Sequence, residues 1–168
     1  LELRAELVHG EVSGWLGAIG MQYSDRDFSA KGEEAFVPPS NTERVGVYLL
    51  EETQLGDASL ELGVRFDRQE ISTSGRGAIE HDSLNASASL LVPVSENQRL
   101  GCILARSERA PVAEELLSDG EHVATNTYEI GDAALDQESA YNAELTWVYE
   151  SAVNARASLF YTWFNDYI

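Results

Sequence analysis

The feature that most constrains this chain is a period-two alternation of apolar and polar residues, repeated many times over long runs. Leu1, Leu3, Ala5 and Leu7 alternate with Glu2, Arg4 and Glu6. Ala58, Leu60, Leu62, Val64 and Phe66 alternate with Ser59, Glu61, Gly63, Arg65 and Asp67. Leu84, Ala86, Ala88, Leu90 and Val92 follow the same rule, as do Tyr141, Ala143, Leu145, Trp147 and Tyr149, and then Ala155, Ala157, Leu159, Tyr161 and Trp163. Residues two apart on a strand share a face, so the pattern predicts strands with one apolar and one polar side. Eight strands are expected, over about 1–8, 13–25, 43–52, 57–70, 82–93, 97–107, 137–149 and 153–166. Several exceed the ~5–6 residues usual in globular strands. They reach the ~9–11 that a tilted strand needs to cross a bilayer.

The connections alternate in length. Residues 9–12, 53–56, 94–96 and 150–152 read as tight turns, whereas 26–42, 71–81 and 108–136 read as longer loops. Sorting of this kind belongs to outer-membrane barrels, with short periplasmic turns and longer extracellular loops. The expected fold is therefore all-β: antiparallel up-and-down transmembrane β-barrel strands, with one short helix in a loop. That helix is expected at 111–117, where Pro111 stands at the start and Glu114 and Glu115 in the first turn.

In a barrel the polar face looks into the lumen, and Glu61, Arg65, Asn142, Glu144 and Arg156 are expected to face it, alongside Glu2, Arg4, Glu6 and Asp67. In a soluble sheet the same residues would face bulk water. Trp147, Tyr149, Tyr161, Trp163 and Tyr167 fall near strand ends, as in the aromatic girdles of membrane barrels. A few aromatics packed inside a sandwich are the competing account.

Composition removes several function classes. Eleven basic against 29 acidic residues leave a net charge of −18, so the basic footprint that nucleic acid requires is missing. One cysteine, Cys102, excludes an internal disulfide and a multi-cysteine metal site. It falls beside Leu100 and Leu104 on the apolar face, as a small hydrophobe would. No run approaches the ~18–20 apolar residues of a membrane-spanning helix. The chain opens on Leu1-Glu2-Leu3-Arg4, already strand-like. It is expected either to have lost a leader or to be an internal piece of a longer protein.

One block carries a family resemblance. Ser107-Glu108-Arg109-Ala110-Pro111-Val112-Ala113-Glu114-Glu115-Leu116, then Asp119-Gly120-Glu121-His122-Val123-Ala124-Thr125, resembles a segment of TonB-dependent receptors. The similarity continues through Thr127-Tyr128-Glu129-Ile130-Gly131-Asp132 to Leu135 and Glu138. Upstream, Gly17–Phe28 and Gly32-Glu33-Glu34-Ala35-Phe36-Val37-Pro38-Pro39 resemble the zinc- and siderophore-uptake branch of that family. The resemblance implies a 22-stranded barrel in the outer membrane of a Gram-negative bacterium, with a plug domain in its lumen. It also implies energy from TonB, delivered through the plug, and uptake of a small metal or metal-chelate substrate. No plug segment and no TonB box occur here, so residues 1–168 are expected to be a partial barrel domain. Eight strands cannot enclose a plug. Open edges would let an isolated segment self-associate, which light scattering would detect.

Candidate chemistry is sparse. His9 falls in an expected turn, while His81 and His122 fall in expected loops. The latter two, with Glu114, Glu115, Asp119 and Glu121, offer imidazole and carboxylate donors suited to Zn²⁺ or another divalent cation. A solvated acidic loop accounts for the same residues. No resident cofactor is expected. No Gly-x-Ser-x-Gly elbow is present, Gly75-Arg76-Gly77 lacks the flanks of a phosphate cradle, and catalysis is not expected. The rival to a transporter is a self-contained eight-stranded β-barrel with a structural, adhesion or ligand-binding role.

Overall fold

The computed structural model describes residues 1–32, 35–122 and 126–168. Glu33, Glu34, Val123, Ala124 and Thr125, which carry part of the family resemblance, lie outside the described residues. The strands are β1 (Glu2–Val12), β2 (Trp15–Phe28), β3 (Ser40–Leu55), β4 (Ala58–Thr73), β5 (Ile79–Ser95) and β6 (Gln98–Arg109). There follow helix α1 (Ala113–Leu117), the short strands β7 (Asp119–His122) and β8 (Thr127–Ile130), then β9 (Glu138–Glu150) and β10 (Asn154–Asn165). Eight strands form one antiparallel sheet in the order β1-β2-β3-β4-β5-β6-β9-β10, and β7 pairs with β8 apart from it. All eight expected strands are present.

Their ends differ from expectation because pairing carries strands through segments that read as turns. The first turn is Ser13-Gly14, not 9–12, and both residues have positive φ (54° and 86°). That backbone suits a two-residue hairpin whose twist matches the strands. His9 therefore sits on β1, opposite Gly17. The expected loop 71–81 contracts because Ile79, Glu80, His81 and Asp82 pair with Ile71, Glu70, Gln69 and Arg68. His81 is thus a strand residue. Two-residue connections join β3 to β4 and β5 to β6, and three residues join β9 to β10. The connections 29–39 and 110–137 remain long.

Register settles which residues share a face. Leu7, Ile19, Leu49, Val64 and Ala86 form one row across five strands, and Leu90, Cys102, Leu145 and Leu159 lie in another row on the same side. Most of these apolar side chains are exposed. A continuous apolar surface of this extent is far beyond what water-soluble monomers leave uncovered, and it suits lipid. Trp147 stacks on Tyr149 near the tight-turn end of this face, while Tyr141 meets Trp163 near the other end (centroids 6.1 and 6.2 Å apart).

The sheet is open: β1 and β10 end it and do not pair with each other. This counts against the self-contained eight-stranded barrel. The buried core of the described residues lies where α1 covers the sheet, with Ile71, Ala113, Leu116 and Leu117 packed together and flanked by Ile79 and Leu135.

Candidate functional site

The polar face begins with charge. Arg4, Gln22, Gly46, Asp67 and Ser83 form one row, and Glu6, Gly20, Tyr48, Arg65 and Asn85 form the next. Tyr48 lies at the centre. Its hydroxyl accepts from Arg4 Nη2 (2.9 Å) and donates to Glu6, and Arg4 and Arg65 both approach its ring. Arg65 donates to Asp67 (Nε–Oδ2 2.7 Å) and to Gln22 (3.3 Å). Two glycines make this possible. A Cβ on Gly20 would overlap the Tyr48 ring, and one on Gly46 would overlap Arg65 and Asp67. Small residues opposite a ring or guanidinium let it lie flat on the sheet.

Of the residues expected to face a lumen, Arg65 belongs to this network. Glu61 and Glu144 share a row through Ser89 and Ile103. Asn142 lies one row away and donates to Thr162 (2.9 Å), while Glu144 accepts from Thr146 (2.8 Å). Arg156 is opposite Val148, on the same face near the tight turns. All five residues therefore lie on the polar side of one sheet.

At the loop end of that face, the two long connections dock onto the strands. Leu116 and Ile71 are each only 1% exposed, so α1 is anchored by direct apolar burial. Polar ties fix its position. Gln69, 2% exposed, donates to Pro111 O (2.8 Å) and accepts from Arg44. His81 bonds Leu135 O through Nε2 (2.9 Å), and Gln137 donates to Asp82 O (2.6 Å). Loop meets loop where Asp119 N–H donates to Phe36 O (2.8 Å) and Phe36 packs on His122. Gly131 has no room for a side chain, since a Cβ would lie 2.7 Å from the backbone of Leu116–Ser118.

Glu115 holds the start of the helix. It accepts from Val112 N–H (2.9 Å) and from both ends of the Arg109 guanidinium (2.9 and 3.1 Å). Val112 has no side-chain acceptor, so only the Glu115 half of a capping box is formed. Burial pushes the Glu115 carboxyl up. The hydrogen bonds from Arg109 and Val112, with the Arg109 charge, outweigh that and hold it below its ordinary value. Tyr128 on β8 is raised, chiefly because its hydroxyl donates to Asp119.

The six candidate metal ligands are spread over this cap. His81 is 8% exposed beneath Leu135, and Glu115 is engaged with Arg109. His122 Nδ1 pairs with Glu129 (2.7 Å), and Asp119 accepts from Tyr128. Glu114 stands 4.0 Å from Arg26, and Glu121 is exposed on β7. Among the described residues no three His, Cys, Asp or Glu side chains converge into a metal-binding group. A cavity of about 190 Å³ lies beside α1, bordered by Arg26, Arg44, Gln69, Ile71 and Glu114. Sequence reasoning missed Tyr48 and Arg44. The run Val45–Leu50 does not alternate cleanly, so only register shows which of its residues face the polar side.

The entire span 1–168 matches the family described as TonB dependent receptor-like, beta-barrel. This chain belongs to the TonB-dependent receptor β-barrel family. TonB-dependent receptors are transporters and not enzymes. The fold is similar to the FrpB iron transporter from Neisseria meningitidis. Its F3-3 variant matches with a TM-score of 0.70 at 16% identity, over 94% of this chain and 26% of that one. The F5-1 variant matches at 0.69 and 16%, over 96% and 27%, and its apoprotein form at 0.70 and 15%, over 96% and 28%. The chain thus spans about a quarter of the length of those transporters.

Proposed function

We propose that the natural receptor takes up a scarce nutrient, a metal ion or a metal chelate, across the outer membrane of a Gram-negative bacterium. The observation that carries this reading is the family match over the whole chain, joined to a sheet with one lipid-compatible and one charged face. In it, residues 1–168 are part of the barrel wall and its extracellular mouth. The polar face, with Tyr48 and Arg65 at its centre and Glu61, Asn142, Glu144 and Arg156 around them, faces the plug domain. TonB acts through that plug.

The cap formed by α1 and the β7–β8 hairpin borders the mouth. Its excess of carboxylates, Glu114, Asp119, Glu121 and Glu129 among them, concentrates cations locally. Arg26 and Arg44 in the small cavity supply the opposite charge for an anionic arm of a chelate. Among the six candidate ligands, Glu114 and Glu121 are the most readily offered to a metal, and His81, His122, Glu115 and Asp119 would first have to leave present partners. Iron and the zinc and siderophore branch both fall within this proposal.

Uptake of radiolabelled iron and zinc, free and chelated, in cells with and without the receptor and TonB tests it. Loss of uptake of one of these forms in both deletions is expected, with restoration by the full-length receptor. Unchanged uptake of every form in both deletions would overturn it.

A further inference from the structure

Four arginines stand on the polar side of β1–β4, and they differ in what neutralises them. Arg4 pairs with Glu6 and Arg65 with Asp67, while Arg26 reaches Glu114 only at 4.0 Å, the limit of an ion pair. Arg44 has no carboxylate partner among the described residues. Its guanidinium donates instead to the amide oxygen of Gln69, a neutral acceptor. That amide is built into the wall. Gln69 is 2% exposed, and its Nε2 donates to Pro111 O (2.8 Å). A carbonyl only accepts, so the NH₂ end of the amide is fixed at Pro111 and its oxygen is turned to Arg44. Arg44 is thereby positioned without being neutralised.

Both Arg44 and Arg26 line the cavity beside α1, together with the hydroxyls of Ser24 and Thr42. Register explains the grouping. Ser24 is opposite Arg44 and Arg26 is opposite Thr42, on neighbouring cross-strand pairs of β2 and β3. Two guanidiniums and two hydroxyls therefore share a patch of about 5 Å by 7 Å. Glu114 is the one carboxylate in the lining, so the cavity is net positive within a chain of net charge −18. Arg26 and Arg44 are exposed, and a group entering the cavity meets their N–H donors without any opening of the protein.

We propose that this cavity is a subsite for an oxyanion group, a carboxylate or a phosphate, held by Arg44 and Arg26, and that the substrate of the natural receptor carries such a group. The second half rests on the uptake reading above. Charge and shape select the ligand. Gln69 takes one of the donors of the Arg44 fork, and the rest match the planar spacing of two oxyanion oxygens. Ser24 and Thr42 offer hydroxyl donors beside them. Size limits what enters. At about 190 Å³ the cavity is smaller than the ~300 Å³ of pockets that enclose a whole small ligand, so it admits one arm of a chelate and leaves the metal centre outside. A bare cation is repelled by the same two arginines.

Equilibrium dialysis of the full-length receptor at low ionic strength against radiolabelled phosphate, citrate and ferric citrate tests the site. The wild type is expected to retain at least one of the three. Arg44→Gln is expected to weaken that retention about tenfold, the order of one charge-assisted hydrogen bond. Ser24→Leu fills the cavity while leaving both arginines and the Arg44–Gln69 bond in place, so the similar loss expected of it does not arise from a loosened cap. Arg76→Gln, at the tip between β4 and β5, is expected to change nothing. Ferric citrate retained above free citrate assigns the group to an arm of a chelate. Retention of phosphate or free citrate alone keeps the subsite and overturns its assignment to the substrate. No retention by the wild type, or equal retention by the wild type and both cavity variants, would overturn the subsite itself. The uptake reading fails separately: uptake unchanged by deletion of the receptor, with oxyanion retention intact, would remove the transport role and leave the subsite standing.

Discussion

Glu115 shows how one side chain ties sequence to loop order. It bonds the first free N–H of a five-residue helix and pairs with Arg109 at the end of β6, joining cap to wall. A helix this short is not stable by propensity, so such ties and apolar burial decide whether it forms. The linkage has a definite sign. A carboxyl held below its ordinary value in the folded state contributes stability above that value, and the contribution is lost as pH falls through the lowered folded value. Glu115→Gln is therefore expected to loosen the cap near about pH 7, and its difference from the wild type to shrink as pH falls through the lowered folded value. Hydrogen exchange of residues 113–118 in the full-length receptor, corrected for intrinsic rates, reads this. Equal protection of the two proteins at the higher pH would contradict it. That Glu115 would hold the start of the helix was not legible in the sequence. The acids of 108–138 look alike there, and only the fold brings Arg109 to this one.

Among the elements, the long strands were readable because a strand with two unlike faces imprints a period of two, and a helix does not sustain that period over ten or more residues. β7 and β8 were not. Asp119-Gly120-Glu121-His122 is polar throughout, and these strands pair only with each other, so no buried face imprints a period on them. The start of β5 was hidden for a related reason. Gly75 and Gly77 mark a turn, yet Ile79 and His81 belong to the strand because α1 and Leu135 cover that end of the sheet. The sequence does suggest a helix at 111–117, and its anchoring is a property of packing. Leu116→Ala is expected to cost ~2–5 kcal/mol of docking free energy. Because the cap rests on the strands without contributing to their ladder, the loss should appear locally. Limited proteolysis should cut faster between 113 and 136 while the strands stay protected. Cooperative loss of the strands in the same variant would contradict that separation.

At the scale of the whole molecule, the sheet is an inverted globular design. Its apolar side is broad and uncovered, its charged side carries the ordered network, and among the described residues the buried apolar core lies where the cap meets the sheet. That arrangement is stable only if lipid covers the first face and protein or water the second. The alternation alone could not say which face met which solvent, since a soluble sandwich uses the same period. The match of the whole chain to the TonB-dependent receptor barrel family favours the membrane barrel. Spin labels placed one at a time along β4 of the full-length receptor in liposomes, with Cys102 replaced by Ala, test this most directly. Residues 60–66 are scanned with dissolved oxygen and a water-soluble nickel chelate as relaxing agents. Oxygen accessibility is expected to peak at Leu60, Leu62, Val64 and Phe66 and to fall at Glu61, Gly63 and Arg65. Loss of the period, or chelate accessibility peaking at Leu62 and Val64, would contradict the assignment of this chain to a transmembrane barrel wall.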